Sequence, residues 1–303
     1  MNILITGGSG FLGSNLAEYF SVRGHRVIGM GRRELSTFDQ ARLGYSKWIT
    51  GSLSLQIFED LNELPDVILH CAGGSSVTKS LLDFNKDYDD TVKGTELVLE
   101  FIKNKCPRAR LIYPSSPAIN GSCLNEPISV GAPVNPVSPY GDNKLRAEIL
   151  CEFYKEKYLL DVFIIRLFSV YGPGLKKQLL WDACEKFKMK NPEFWGNGKE
   201  TRDFVHIDDV SNLFLLVASS KNMMLPHKMN CGGGEPTEIF YILDFIKNMF
   251  DSELKLAFNG ITRLGDPRYY WSDNTEAYQY GWQPKTNFNL GMQQYVAWYK
   301  KWV

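Results

Sequence analysis

The chain has few cysteines and no pattern among them. Its six (Cys71, Cys106, Cys123, Cys151, Cys184 and Cys231) stand singly among 303 residues. No CxxC pair or Cys/His cluster falls at ligand spacing, so neither a zinc site nor a disulfide framework is expected, and reduced thiols in a cytoplasmic protein are. Net charge is also missing, since 34 basic residues balance 34 acidic ones. No overall field draws the chain to nucleic acid or to a membrane surface. Nor does any apolar run approach the ~20 residues that span a bilayer. The N-terminus opens directly on "MNILITGG", with no basic segment or cleavage site, so no signal peptide is expected.

What the chain does have is alternation of a particular kind. Short apolar runs ("NILIT", "RVIGM", "VILHCA", "RLIYPSS", "DVFIIRLF") are separated by helical patterns in the first half. Apolar runs without strict alternation read as parallel strands covered on both faces, hence an α/β, doubly wound sheet of the Rossmann type. Helices are expected from about Ser14, across "GTELVLEFI", and from Pro139 through about Lys157, the last with Ser138 as N-cap. Beyond "DVFIIRLF" the pattern becomes Gly/Pro-rich and aromatic, which reads as a smaller mixed substrate-binding domain. Residues 1–170, with 203–232 returning to them, are assigned to the dinucleotide-binding domain, and 171–202 with 233–303 to the substrate domain.

"TGGSGFLGS" follows the first strand and opens a helix, with Gly7, Gly10 and Gly13 spaced GxxGxxG. A dinucleotide needs these glycines for the tight turn, the approach of backbone to pyrophosphate, and close helix–strand packing. The pyrophosphate would then rest on the helix N-terminal amides. Tyr140 and Lys144 of "SPYGDNK" share a helix face, and an ammonium beside a phenol is expected to lower its pKa toward working pH. A tyrosine and lysine four apart usually decorate a surface. Their place after a glycine fingerprint, with "YPSSPAING" ending a strand, makes them a candidate acid/base pair.

These motifs resemble those of the extended short-chain dehydrogenase/reductases that act on nucleotide sugars, the NAD(P)-dependent epimerases, dehydratases and 4-ketoreductases. "HCAGG", "RLFSVYGPG", "GNGKETRDFVHIDDV", "RLGD" and "YGWQPKT" carry the likeness through the rest of the chain. It implies catalytic roles for Ser116, Tyr140 and Lys144. It implies cofactor contacts from Gly7, Ser9, Gly10, Phe11, Leu12, Gly13, Ala72, Gly73, Phe168 and Val170, and nucleotide-sugar contacts from Ser169, Arg202 and Arg263. A homodimer is expected by the same analogy, with no metal.

The departures from the family pattern carry information too. Pro117-Ala118 stands where dehydratases have an Asp-Glu pair, which argues against 4,6-dehydration. Asn120-Gly121 replaces a Tyr-Gly pair, Ser169 an asparagine, and Ser52 an aspartate. Gly31-Arg32-Arg33 replaces the acid that holds the adenosine ribose. Guanidinium groups without that acid favour a 2′-phosphate, so NADP(H) is the expected cofactor, with NAD(H) the alternative. Exchangeable NADPH in turn puts reduction of a nucleotide-linked 4-keto-6-deoxy sugar first, a nucleotide-hexose 4-epimerase second, and a non-catalytic NADP sensor last.

Overall fold

The computed structural model describes residues 1–61, 63–121, 126–222, 224–251, 253–261 and 268–303. Its first half runs β1 (Asn2–Thr6), α1 (Phe11–Ser21), β2 (Arg26–Gly31), α2 (Thr37–Arg42), β3 (Lys47–Thr50) and β4 (Val67–His70). There follow α3 (Val77–Leu82), α4 (Phe84–Tyr88), α5 (Gly94–Lys105), β5 (Arg110–Ser115), α6 (Pro139–Tyr158) and β6 (Val162–Leu167). A π-helical turn, Asp89–Lys93, joins α4 to α5.

Seven strands form one parallel sheet in the order β11-β6-β5-β4-β1-β2-β3, where β11 is Lys228–Cys231. The chain winds outward from β1 through β2 and β3, then returns to β4 on the other side of β1. That reversal leaves a crevice above the carboxyl ends of β1 and β4, the place where such sheets take ligands. Successive residues of a strand face opposite sides, so Ile3 and Ile5 join Leu16, Phe20, Leu213 and Phe214 in one layer of core. Leu4 joins Leu99, Ile102 and Ala147 in the other.

The second half adds β7 (Ser169–Tyr171), α7 (Gln178–Lys188), β8 (Glu193–Phe194), β9 (Thr201–Arg202), β10 (Phe204–His206) and α8 (Ile207–Ser219) before β11. After it come β12 (Thr237–Glu238), α9 (Ile239–Phe250), β13 (Ala257–Phe258), α10 (Thr275–Tyr278) and α11 (Phe288–Trp302). A third core, centred on Phe187, Ile242 and Tyr295, joins α7, α9 and α11. Two buried acids tie this half down. Asp209 accepts the amides of Lys285 and Thr286 at 3.0 Å each, while Trp282 Nε1 donates to its carbonyl at 2.8 Å. Asp203, beside Arg202, accepts from Ser272 N at 2.8 Å and Ser272 Oγ at 2.6 Å. Burial pushes the Asp203 carboxyl up to about 6 despite those bonds.

Helix α6 begins as its sequence dictates, with Ser138 Oγ accepting the Gly141 amide at 3.2 Å and Pro139 in the first turn. Its middle is pinned to β6 by a bidentate pair: Arg166 Nε and Nη2 donate to Glu148 at 3.0 and 2.9 Å, and both side chains are only 3% exposed. Removing the acid would strand a buried guanidinium. Glu148→Ala is therefore expected to cost about 3–5 kcal/mol of stability, read by denaturant unfolding.

Candidate active site

A cavity of about 1450 Å³ opens over the carboxyl ends of the central strands. Its floor starts with the loop between β1 and α1. Gly7 has φ +67, and a Cβ there would lie 2.6 Å from Ala72 N. A Cβ on Gly13 would lie 2.6 Å from the Gly7 carbonyl oxygen. Only glycine lets the three backbone segments meet, and α1 then points its first amides into the cavity without any side-chain cap at Gly10. Ser9, Gly10, Phe11 and Leu12 line the opening, with Ala72 and Gly73 from the end of β4 facing them. Gly13 is buried beneath the loop.

The far wall comes from β5 and α6. Ser116, Tyr140 and Lys144 all reach the cavity. Ser116 Oγ accepts the Ala118 amide at 3.2 Å and stands close enough to Tyr140 to favour its ionised form. Ser80 Oγ, on α3, accepts the Tyr140 amide at 3.0 Å and so fixes the start of the helix. Lys144 is buried, its Nζ donating to the Pro114 carbonyl at 2.9 Å and lying 4.8 Å from the Tyr113 ring centre.

One expectation fails in this geometry. Burial raises the Tyr140 phenol, with Ser116 pulling the other way, and Lys144 plays no part in lowering it. The reason is direction: the ammonium is turned to Pro114 and Tyr113. Burial also lowers Lys144 to about 8, opposed by the charge of Asp87.

Gly31, Arg32 and Arg33 line the cavity at the carboxyl end of β2. Arg32 Nη1 lies 3.3 Å from both carboxylate oxygens of Asp90. Trp48 Nε1 donates to the Arg33 carbonyl at 3.0 Å. The indole packs so closely that a Cβ on Gly31 would lie 3.0 Å from it, and one on Gly29 would lie 2.5 Å away. Phe168, Ser169, Val170 and Arg202 also line the cavity. Arg263 lies outside the described residues. Sequence reasoning missed Arg268 and Tyr270, which also face the cavity, and the Tyr45–Trp48 pair that buttresses the glycine loop, Tyr45 Oη donating to the Gly8 carbonyl at 2.7 Å. Among the described residues no cluster of His, Cys, Asp or Glu could hold a metal, and no helix is long and apolar enough to cross a membrane.

The model of one protein family, the NAD dependent epimerase/dehydratase family, matches residues 3–232. The chain belongs to this family. A UDP-glucose 4-epimerase of Mycolicibacterium smegmatis is 28% identical, over 99% of each chain. Among solved structures, the UDP-glucose 4-epimerase of Thermotoga maritima with UDP-glucose superposes at a TM-score of 0.86 and 27% identity, over 99% of each chain. The UDP-glucuronic acid 4-epimerase of Bacillus cereus, with UDP-glucuronic acid and NAD, shares the fold at a TM-score of 0.88 and 24% identity, over 100% of each.

Activity that needs the Lys144 ammonium is expected to have its alkaline limit set by that charge. The ammonium is present below a pH of about 8 and lost above it. The rate is therefore expected to fall with a midpoint near 8. Lys144→Met should abolish that limb and lower kcat about 100-fold or more, measured as a pH–rate profile.

Proposed function

We propose that this enzyme is a nucleotide-hexose 4-epimerase acting on a UDP-hexose. The observation that carries the reading is Ser116 and Tyr140 together at the carboxyl end of β5, facing the glycine loop across one cavity. End-to-end likeness to 4-epimerases supports it over the reductase that the sequence puts first. The residues fit a nicotinamide dinucleotide, since the cradle at Gly7 and Gly13 excludes side chains and the α1 amides are open. When bound, that group supplies hydride uptake from the sugar C4 and its return. Tyr140 takes the proton of the C4 hydroxyl and later gives it back, while Ser116 holds the same oxygen. Lys144 holds the ribose and keeps positive charge near the phenol. Arg202 stands where it can meet the nucleotide diphosphate, a planar fork suited to phosphate oxygens.

A second reading, the NADPH-dependent 4-ketoreductase, rests on Gly31, Arg32 and Arg33 at the cavity edge. A 2′-phosphate there would have to compete with Asp90 for Arg32. We read residues 1–170 with 203–232 as the dinucleotide half, a division supported by the pairing of β11 with β6, and 171–202 with 233–303 as the substrate half.

The two readings part in one assay. Interconversion of UDP-glucose and UDP-galactose, followed by NMR without added cofactor, is expected, and Tyr140→Phe should slow it about 1000-fold. Oxidation of added NADPH by a nucleotide 4-keto-6-deoxy sugar, with no UDP-hexose interconversion, would reverse the order. We also propose a homodimer through α6, which exposes Ile149 and Phe153 one turn apart. Sedimentation should give a dimer that Phe153→Glu converts to monomer; a monomeric wild-type protein would dispose of it.

A further inference from the structure

Behind the catalytic helix, and outside the cavity lining, lies an acid that the chemistry above does not use. Asp87, on α4, is buried at 6% exposure. Asn143, fully buried on α6 between Tyr140 and Lys144 in sequence, donates Nδ2 to Asp87 Oδ2 at 2.8 Å. Among the described residues the Asn143 Oδ1 has no partner, so this is the bond that holds its amide. On the other side the carboxylate rests against Gly74, where a Cβ would collide with it. The Gly74 amide is itself held by Thr91 Oγ1 at 2.8 Å, from the π-helical turn.

A buried carboxylate is expensive unless a cation or several donors face it. Each element packed around Asp87 contributes to its surroundings. From α6 come the Asn143 amide, the Lys144 ammonium and the Tyr140 phenol, and from the π-helical turn comes the carboxylate of Asp90. The loop after β4 offers only the uncharged Gly74. Lys144, next to Asn143 in sequence, is the cation whose charge favours the Asp87 carboxylate, and Asp87 is foremost among the charges acting on Lys144, whose Nζ is itself bonded to Pro114.

We propose that Asp87 is a positioning residue for the Tyr140–Lys144 pair: its bond to Asn143 fixes the turn of α6 that carries both, and its buried carboxylate sets a negative charge behind them. The proposal rests on reading Tyr140 and Lys144 as the acid/base pair. A negative charge nearby favours the protonated form of both groups, so neutralising it moves both titrations the same way, to lower pH. A purely structural role would lower the rate and leave the titrations where they are.

The test compares the wild-type enzyme with Asp87→Asn, which keeps shape and an acceptor for Asn143 but removes charge, and with Asp87→Glu, which retains charge. Lys144 is followed directly by NMR of lysine side chains labelled at Cε, its signal assigned as the one lost in Lys144→Arg. The Lys144 midpoint is expected to fall by about one pH unit or more in Asp87→Asn. It should stay near the wild-type value in Asp87→Glu, and the pH–rate profile should shift acidward in step. An unchanged midpoint in folded Asp87→Asn overturns the proposal. If that variant does not fold, Asp87→Ser makes the same neutralisation and is judged by the same midpoint. Absence of epimerase activity would sink the functional reading alone, because the lysine titration needs no substrate.

Discussion

The cleft depends on backbone meeting backbone. Gly7, Gly13 and Ala72 come together where β1, α1 and β4 converge, and no side chain fits between them. That contact sets the height of α1 above the sheet, and so directs its open amides over the crevice at the β1/β4 reversal. The far wall is placed by different means. A capped first turn, the Ser80 bond to the Tyr140 amide and the Arg166–Glu148 pair hold α6 in place at its start and its middle. One wall is positioned by absence of side chains and the other by buried polar bonds.

Burial acts on the two proposed reacting groups in the same chemical sense, favouring a neutral phenol and a neutral amine. An acid/base site cannot remain in that state and work. Ser116 opposes the trend at Tyr140, and Asp87 opposes it at Lys144. Lys144 meanwhile spends its hydrogen bond on Pro114, so its influence on the phenol is weaker than the four-residue spacing alone implies. Spacing on a helix gives the shared face and not the direction of a long side chain.

Five of the seven sheet strands, the glycine loop and helix α6 were legible because each follows a local rule: apolar runs, glycines where backbone is crowded, a Ser-Pro helix start. α1 begins at Phe11 instead of about Ser14, since its first turn belongs to the glycine loop and carries no apolar periodicity. β3 went unread because "KWIT" is short and half-exposed, and its identity as a strand comes from pairing with β2. Asp87 was invisible for a related reason. In "DFNKDYDD" it is one acid among several, and only the packing of α4 against α6 distinguishes it from its solvated neighbours. Arg268 likewise owes its place at the cavity to tertiary structure and to no motif.

Trp48 changes the meaning of the missing ribose acid. Its indole occupies the ground beside Gly31 into which a longer side chain would have to grow, and it is anchored there by the Arg33 carbonyl. A carboxylate at position 31 would therefore need the Trp48 ring to give way by a few tenths of an ångström. A chain of this kind and one with a ribose-binding acid therefore differ in how positions 31 and 48 pack together, and not at position 31 alone.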